Sequence, residues 1–185
     1  EGVKNRQIDM PRGKVLGGSS SINAMLYIRG QADDYNLWAQ RGNKGWSYVE
    51  LLPYFLKSES SEVLNDKSQR SKADQLEKAY HGTDGPLHVS DLRNTYEILD
   101  KLTEAAESCG YPRNSDFNGA SQEGFGYYQV TQKGGKRWSS RRAYLSPAEN
   151  RQNLTVLTHA HVTKLHFNAA GKRATAVSVN YKGKT

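Results

Sequence analysis

A single cysteine, Cys109, excludes an internal disulfide framework, and no Cys/His spacing of the zinc type is present. No apolar run approaches the roughly 18 residues that a spanning helix needs, so no transmembrane segment is expected. Neither a G-x-G-x-x-G fingerprint nor a Walker loop ending in G-K-[ST] occurs, which removes the two commonest sequence signatures of nucleotide-phosphate binding. Internal repeats and low-complexity tracts are missing too. Glu1 is followed by no basic n-region and no apolar h-region, and with no initiator Met the sequence reads as an internal segment of a longer protein.

What remains is a polar chain of 185 residues, 36% hydrophobic, near the size of one ordinary domain and long enough to bury a core. Its formal net charge is +7, and the basic excess is densest in KGGKRWSSRR, where Lys133, Lys136, Arg137, Arg141 and Arg142 cluster. Such a cluster faces phosphate, nucleic acid or water.

Local signals place the elements. DDYNLWAQRG carries acids at its head and Gly42 past its end, predicting a short helix from Asp33 to Arg41. Ser47 and Glu50 form a capping box ahead of an apolar face of Leu51, Leu52, Phe55 and Leu56, with Pro53 expected to bend that helix or restrict it to its later turns. Residues 58–79 are polar and aperiodic and read as a surface excursion, within which Ser61→Ala should be silent. GPLHVSD alternates as a half-buried strand does. Asn94 and Glu97 are a capping pair for a helix whose stripe is Ile98, Leu99, Leu102, Ala105, Ala106 and Cys109, ended by Gly110 and Pro112; Cys109 is then a core residue. GYYQVTQ reads as a strand, SSRRAYLSPA as the start of a helix stopped near Pro147, and NLTVL, HVTKLHF and ATAVSVNY as three strands closing in a β-meander, the last two joined across residues 168–173. The order is mixed α/β (α+β).

MPRGKVLGGSSSINAMLYIRG, residues 10–30, is unlike packing material. Glycines allow close approach of backbone to a ligand, and successive N–H groups ahead of a helix make an anion-binding concavity. Gly17, Gly18, Ser19 and Ser20 have that chemistry, which makes this a phosphate-contacting loop or a plain Gly/Ser loop before a helix, with a buried-looking Asn23 beyond it.

PRGKVLGGSSSINAMLYIRG resembles the first signature of the glucose-methanol-choline (GMC) oxidoreductases, flavoprotein alcohol dehydrogenases and oxidases. The resemblance runs through DDYNLWAQRGNKGWSYVELLPYF, GPLHVSD, GYPRNSDFNGASQEGFGYYQVTQKGGKRWSSRRAYLSP and NLTVLTHAHVTKL, and its wording is similar to the bacterial choline-dehydrogenase-like branch. It implies part of a two-domain FAD-binding fold with a piece of the antiparallel-sheet substrate domain. Residues 1–58 and 116–185 would belong to the FAD-binding side, 59–82 to a variable connection and 83–115 to the substrate side. It also implies FAD contacts from Val15, from Gly17, Gly18 and Ser19 near the pyrophosphate, from Asn23, Ala24, Met25 and Leu26 along the isoalloxazine ring, and from the Val162 backbone at the adenine. An ordinary core valine is the alternative for Val162. Members with covalent flavin carry histidine where this chain has Ile22, so FAD is expected to be held non-covalently. No catalytic residue falls in this segment: the general-base histidine is expected downstream, and His81, His88, His159, His161 and His166 match no catalytic motif, reading as strand or loop residues.

The reaction that the resemblance implies removes a hydride from an alcohol, a choline-like primary alcohol being the expected class, passes it to flavin and leaves an aldehyde. Oxygen or a quinone-like molecule is the expected acceptor, and the cytoplasm, at the periphery of the inner membrane, the expected location. Two rivals are a basic module gripping nucleic acid through Lys133 to Arg142 with Tyr127, Tyr128 and Trp138, and a non-catalytic structural relative.

Overall fold

The computed structural model describes residue 4, residues 6–66 and residues 78–183. Two units are distinguished, Glu1–Pro147 and Ala148–Thr185.

In the first unit a 3-10 turn at Gly18–Ser21 leads to strand β1 (Leu26–Tyr27) and helix α1 (Ala32–Gln40). Helix α1 begins where expected, with Asp34 reaching back to the Gln31 N–H, and Gly42 beyond its end takes φ +97. Helix α2 (Tyr48–Ser58) carries the Ser47/Glu50 capping box, and it accommodates Pro53 instead of being confined to its later turns. Aromatic rings join the two helices: Tyr35 lies 5.6 Å from Phe55 and 6.1 Å from Tyr48, while Trp38 lies 5.5 Å from Trp46.

The stretch after α2 departs from the expected surface excursion. Strand β2 (Glu59–Ser61) pairs in parallel with β3 (Leu87–Val89), and all three residues of β2 are buried. Ser61 is fully buried, and its Oγ accepts the Leu64 N–H at 3.4 Å at the head of helix α3 (Glu62–Asn65), so it is not a neutral position. The polarity that suggested solvent reflects buried hydrogen bonding; residues 67–77 of that stretch lie outside the described residues.

Helix α4 (Glu97–Ser108) ends as expected, with Gly110 at φ +88, but its N-cap is Tyr96, with no Asn94 cap. Its apolar stripe has the expected spacing and little cover: Ile98 is 73% and Leu102 57% exposed, and Cys109 is exposed at the C-cap, not in a core. GYYQVTQ yields only the short strands β4 (Gln129–Val130) and β5 (Gln132–Lys133), β5 pairing with β6 (Lys136–Arg137). Arg141–Leu145 forms a π-type turn in place of a full helix. The buried apolar residues are few: Val63, Val89, Phe117, Val130 and Ala143.

The second unit is a hairpin of β7 (Ala160–Phe167) and β8 (Ala174–Tyr181), turned by residues 168–173 as expected. NLTVL forms no strand, so a two-stranded hairpin replaces the three-stranded meander. Asn168 organises the turn, its Oδ1 accepting the Lys172 and Arg173 N–H groups. The whole is mixed α/β with small two-stranded sheets.

Candidate functional site

The glycine pair makes the turn that the sequence asks for. Gly17 (φ +93) and Gly18 (φ +55) are left-handed, and a Cβ on Gly18 would meet nothing within 4 Å, so its backbone can be approached closely. The serines behave differently from a ligand-facing hydroxyl cluster. Ser20 Oγ donates to Gly17 O at 2.6 Å and accepts the Ser140 N–H at 2.9 Å; Ser21 Oγ donates to Leu16 O; Ser19 Oγ accepts the Gly13 N–H. They hold the loop's own shape.

The basic cluster is tied to the same loop. Arg137 donates to Ser20 O at 3.0 Å and to Asn23 Oδ1 at 2.8 Å, Arg142 donates to Arg137 O, and Lys133 sits 5.0 Å from the centre of the Trp138 ring. Sequence reasoning missed this clamp because its partners are more than a hundred residues apart.

Beyond the turn, Asn23 is exposed, contrary to its buried appearance in sequence, and its Oδ1 also accepts the Met25 N–H at 3.1 Å. Ala24 is exposed, and Met25 is left-handed (φ 66), a conformation that a non-glycine residue adopts only when its surroundings impose it. Thr131 imposes it here, donating both its N–H (2.8 Å) and its hydroxyl (3.2 Å) to Met25 O. Leu26 then pairs with Val130 and Tyr27 with Gln129. Val15, Ile22 and Leu26 are each about half exposed (54%, 52% and 52%), a run of apolar side chains around the glycine turn. Val162 lies in the second unit, half exposed in β7 opposite Val179.

A second feature has no counterpart in the sequence reading. His81, read as an ordinary strand or loop histidine, is buried between two carboxylates: Nδ1 lies 2.9 Å from Glu59 Oε1 and Nε2 2.8 Å from Asp116 Oδ2. Arg29 is buried on the far side of Glu59 and pairs with it, while Arg29 Nη1 donates to Tyr80 O at 2.6 Å. Burial opposes the imidazolium, but hydrogen bonds to Asp116 and Glu59, with their charges, outweigh it and raise the His81 pKa from 6.5 to about 9. Burial, reinforced by the Glu59 charge, raises Tyr27 to about 12, so the phenol stays protonated where it accepts from Arg29. Among the described residues no group of His, Cys, Asp or Glu could hold a metal ion, so the cluster is a charge network.

The raised pKa fixes a pH dependence. The proton on His81 is bound more tightly in the folded state, so its contribution is complete below about pH 6.5 and is lost as pH rises through about 9. That contribution is about 3 kcal/mol. The Tm of the whole protein should fall between pH 7 and 10, and His81→Gln should flatten that slope; an equal slope in both proteins would refute the assignment.

With this geometry in place, the chain can be set beside known proteins. The family described as GMC oxidoreductase matches residues 2–185. The chain belongs to the GMC oxidoreductase family. Among curated GMC relatives it is 45% identical over 176 residues to the alcohol dehydrogenase [acceptor] of Pseudomonas putida, covering 95% of this chain and 30% of the relative. It is 43% identical over 155 residues to the oxygen-dependent choline dehydrogenase of Rhizobium johnstonii, covering 84% of this chain and 26% of the relative. An FAD-dependent oxidoreductase from Chaetomium thermophilum superposes with a TM-score of 0.79 at 31% identity, over 96% of this chain and 30% of that one. The chain thus spans under a third of the length of these relatives. The nucleic-acid rival finds no support among them. No helix among the described residues is long and apolar enough to cross a membrane.

Proposed function

We propose that the protein containing this chain is an FAD-dependent oxidoreductase that takes a hydride from an alcohol, a choline-like primary alcohol being the preferred class, and releases an aldehyde. The observation that carries the reading is the partly exposed run from Gly17 to Leu26 in a chain of this family: a left-handed glycine pair of which Gly18 is open to close approach, then apolar surface around a fixed, left-handed Met25. This fits FAD, whose pyrophosphate suits backbone N–H groups at such a turn and whose flat ring suits apolar surface. Bound FAD supplies the hydride acceptor.

In this reading Val15, Gly17, Gly18 and Ser19 approach the pyrophosphate, Asn23, Ala24, Met25 and Leu26 line the ring, and the Val162 backbone serves the adenine. Ile22 offers no nucleophilic atom, so the flavin is held without a covalent bond. Residues 1–58 and 116–185 belong to the cofactor side, 59–82 to a connection and 83–115 to the substrate side. A histidine outside this chain takes the hydroxyl proton, electrons leave to oxygen or a quinone-like acceptor, and the protein works in the cytoplasm at the periphery of the inner membrane.

The test is the whole protein, assayed for bound flavin and for dye reduction with a panel of alcohols. Preference for sugars or secondary alcohols over every primary alcohol would overturn the substrate class, and a protein that binds no flavin would overturn the reading itself. Asn23→Asp gives a sharper check. Asp keeps both acceptor contacts, and Arg137 partly offsets its charge, but a negative group beside a ring that must accept a hydride opposes that transfer. Turnover should fall about tenfold, equivalent to about 1.4 kcal/mol, with the fold unchanged.

A further inference from the structure

The run from Asn23 to Leu26 is held in its middle by Thr131, which donates twice to Met25 O, and is flanked by two further anchors. The first is the clamp of Arg137 and Ser140 on the glycine turn. The second follows at once in the chain and is a closed circuit of hydrogen bonds. Arg29 pairs with Glu59; Glu59 Oε1 meets His81 Nδ1 at 2.9 Å; His81 Nε2 meets Asp116 Oδ2 at 2.8 Å. Asp116 Oδ1 accepts the Asn118 N–H at 3.0 Å, and Asn118 Oδ1 accepts the backbone N–H of Arg29 at 2.9 Å, which returns to the starting residue.

Every member is at least nine-tenths buried. The circuit also grips the neighbouring backbone: Asn118 Nδ2 donates to Tyr27 O at 3.2 Å and Gln122 Nε2 to Arg29 O at 2.7 Å. The chain from Tyr27 to Arg29 is therefore held at three backbone atoms by two side chains, one of which the circuit orients. Strand β1 is only two residues long and could not fix that direction by itself.

Because both ring nitrogens of His81 face carboxylate oxygens, the ring must donate from both to satisfy them, and no neutral side chain of similar size donates from two separate atoms on opposite sides. Removing it would separate Glu59 and Arg29 on one side from Asp116 and Asn118 on the other. A network of this kind is held together only while every member is satisfied.

We propose that His81, with Glu59 and Asp116, is a positioning residue for the 23–26 segment: the circuit sets the direction in which that segment leaves β1 and so pre-shapes it for the flavin. This rests on the proposed cofactor reading, and the experiment separates the two. Hydrogen exchange by mass spectrometry is followed in the whole protein stripped of FAD, for the wild type, His81→Ala and Asp116→Asn, together with FAD dissociation constants from fluorescence quenching. Residues 97–108 serve as an internal reference.

In His81→Ala, exchange across 23–31 and 114–123 is expected to rise at least tenfold with 97–108 unchanged, and the FAD dissociation constant to rise at least tenfold. Asp116→Asn keeps size and one of the two acceptor oxygens, turns the other into an N–H donor, and should move both readouts the same way by about threefold; it decides the matter if His81→Ala does not fold. Unchanged local exchange overturns the circuit, and so does loss of protection spread equally over 97–108, the mark of a merely structural residue. Local loosening with wild-type FAD affinity overturns the positioning role. If FAD gives residues 17–26 of the wild type no protection, the cofactor reading fails and the proposal falls with it, whatever the variants show about the circuit.

Discussion

Glu59→Ala is expected to destabilise the protein by about 3–5 kcal/mol, the range for removing one partner of a buried ion pair. Glu59 is fully buried and serves both Arg29 and His81. Alanine leaves a guanidinium and an imidazolium facing each other across a cavity with no anion between them. Glu59→Gln should be little better, because its amide group presents N–H donors to one of two partners that are themselves donors. The control is Lys101→Ala, which removes a 2.8 Å pair with Glu104 whose side chains are more than half exposed. That change should be close to neutral, because water screens the pair. Urea unfolding of the whole protein measures all three; a loss below about 1 kcal/mol for Glu59→Ala would mean that the charges are solvated in solution and that the cluster is not a buried network.

The same residue shows why the sequence was legible in some places and not in others. Helix ends are decided within four residues, so the Ser47/Glu50 box and the glycines at 42 and 110 could be read directly. Glu59, Ser60 and Ser61 are polar residues in a buried strand, and the partners that make this tolerable lie about 20 to 60 residues away, at Arg29, His81 and Asp116. Local patterning scores such a stretch as surface because it records polarity and not whether the polarity is satisfied. NLTVL fails in the opposite direction: it alternates as a strand should, but among the described residues it finds no neighbour to pair with. The stripe on α4 has helical spacing yet remains exposed, since periodicity reports which face is apolar and not what covers it.

At the candidate site the glycine turn was legible from residue type alone, because left-handed backbone and close approach both call for glycine. The role of the serines and of Arg137 was not, since the same hydroxyls and guanidinium that suggest a ligand can equally satisfy the loop's own carbonyls. Asn23 looked buried for its apolar neighbours, but those neighbours, Ile22 and Leu26, are half exposed as well. The apolar run there marks a surface that an aromatic ring could cover, and not a core.

Gly82→Ala should be among the most damaging glycine-to-alanine changes in the chain, with a loss of about 3 kcal/mol, at the upper end for overpacking. Gly82 needs no left-handed backbone; its constraint is contact. A Cβ there would lie 2.0 Å from Leu56 O and 2.7 Å from Glu59 O, both main-chain atoms at the junction of α2 and β2, which cannot rotate away as a side chain would. Relief requires the end of α2 or the segment after His81 to move by about an ångström, and that segment carries two bonds that the site depends on. Gly82 O accepts the Ser61 N–H at 2.9 Å, and His81, its immediate neighbour, must keep both carboxylates within 3 Å. The substitution should therefore lower the Tm and also abolish the stability change between pH 7 and 10, because a displaced His81 no longer holds its proton up to about 9. Gly110→Ala is the matched comparison: its φ is +88 but a Cβ meets nothing within 4 Å, so only the backbone term of about 1 kcal/mol remains and the pH slope stays intact. Equal losses in the two variants, or a Gly82→Ala protein that keeps the wild-type pH slope, would show that the 82–85 turn yields without disturbing the histidine, and that the charge network is not braced by the packing of glycine against the end of α2.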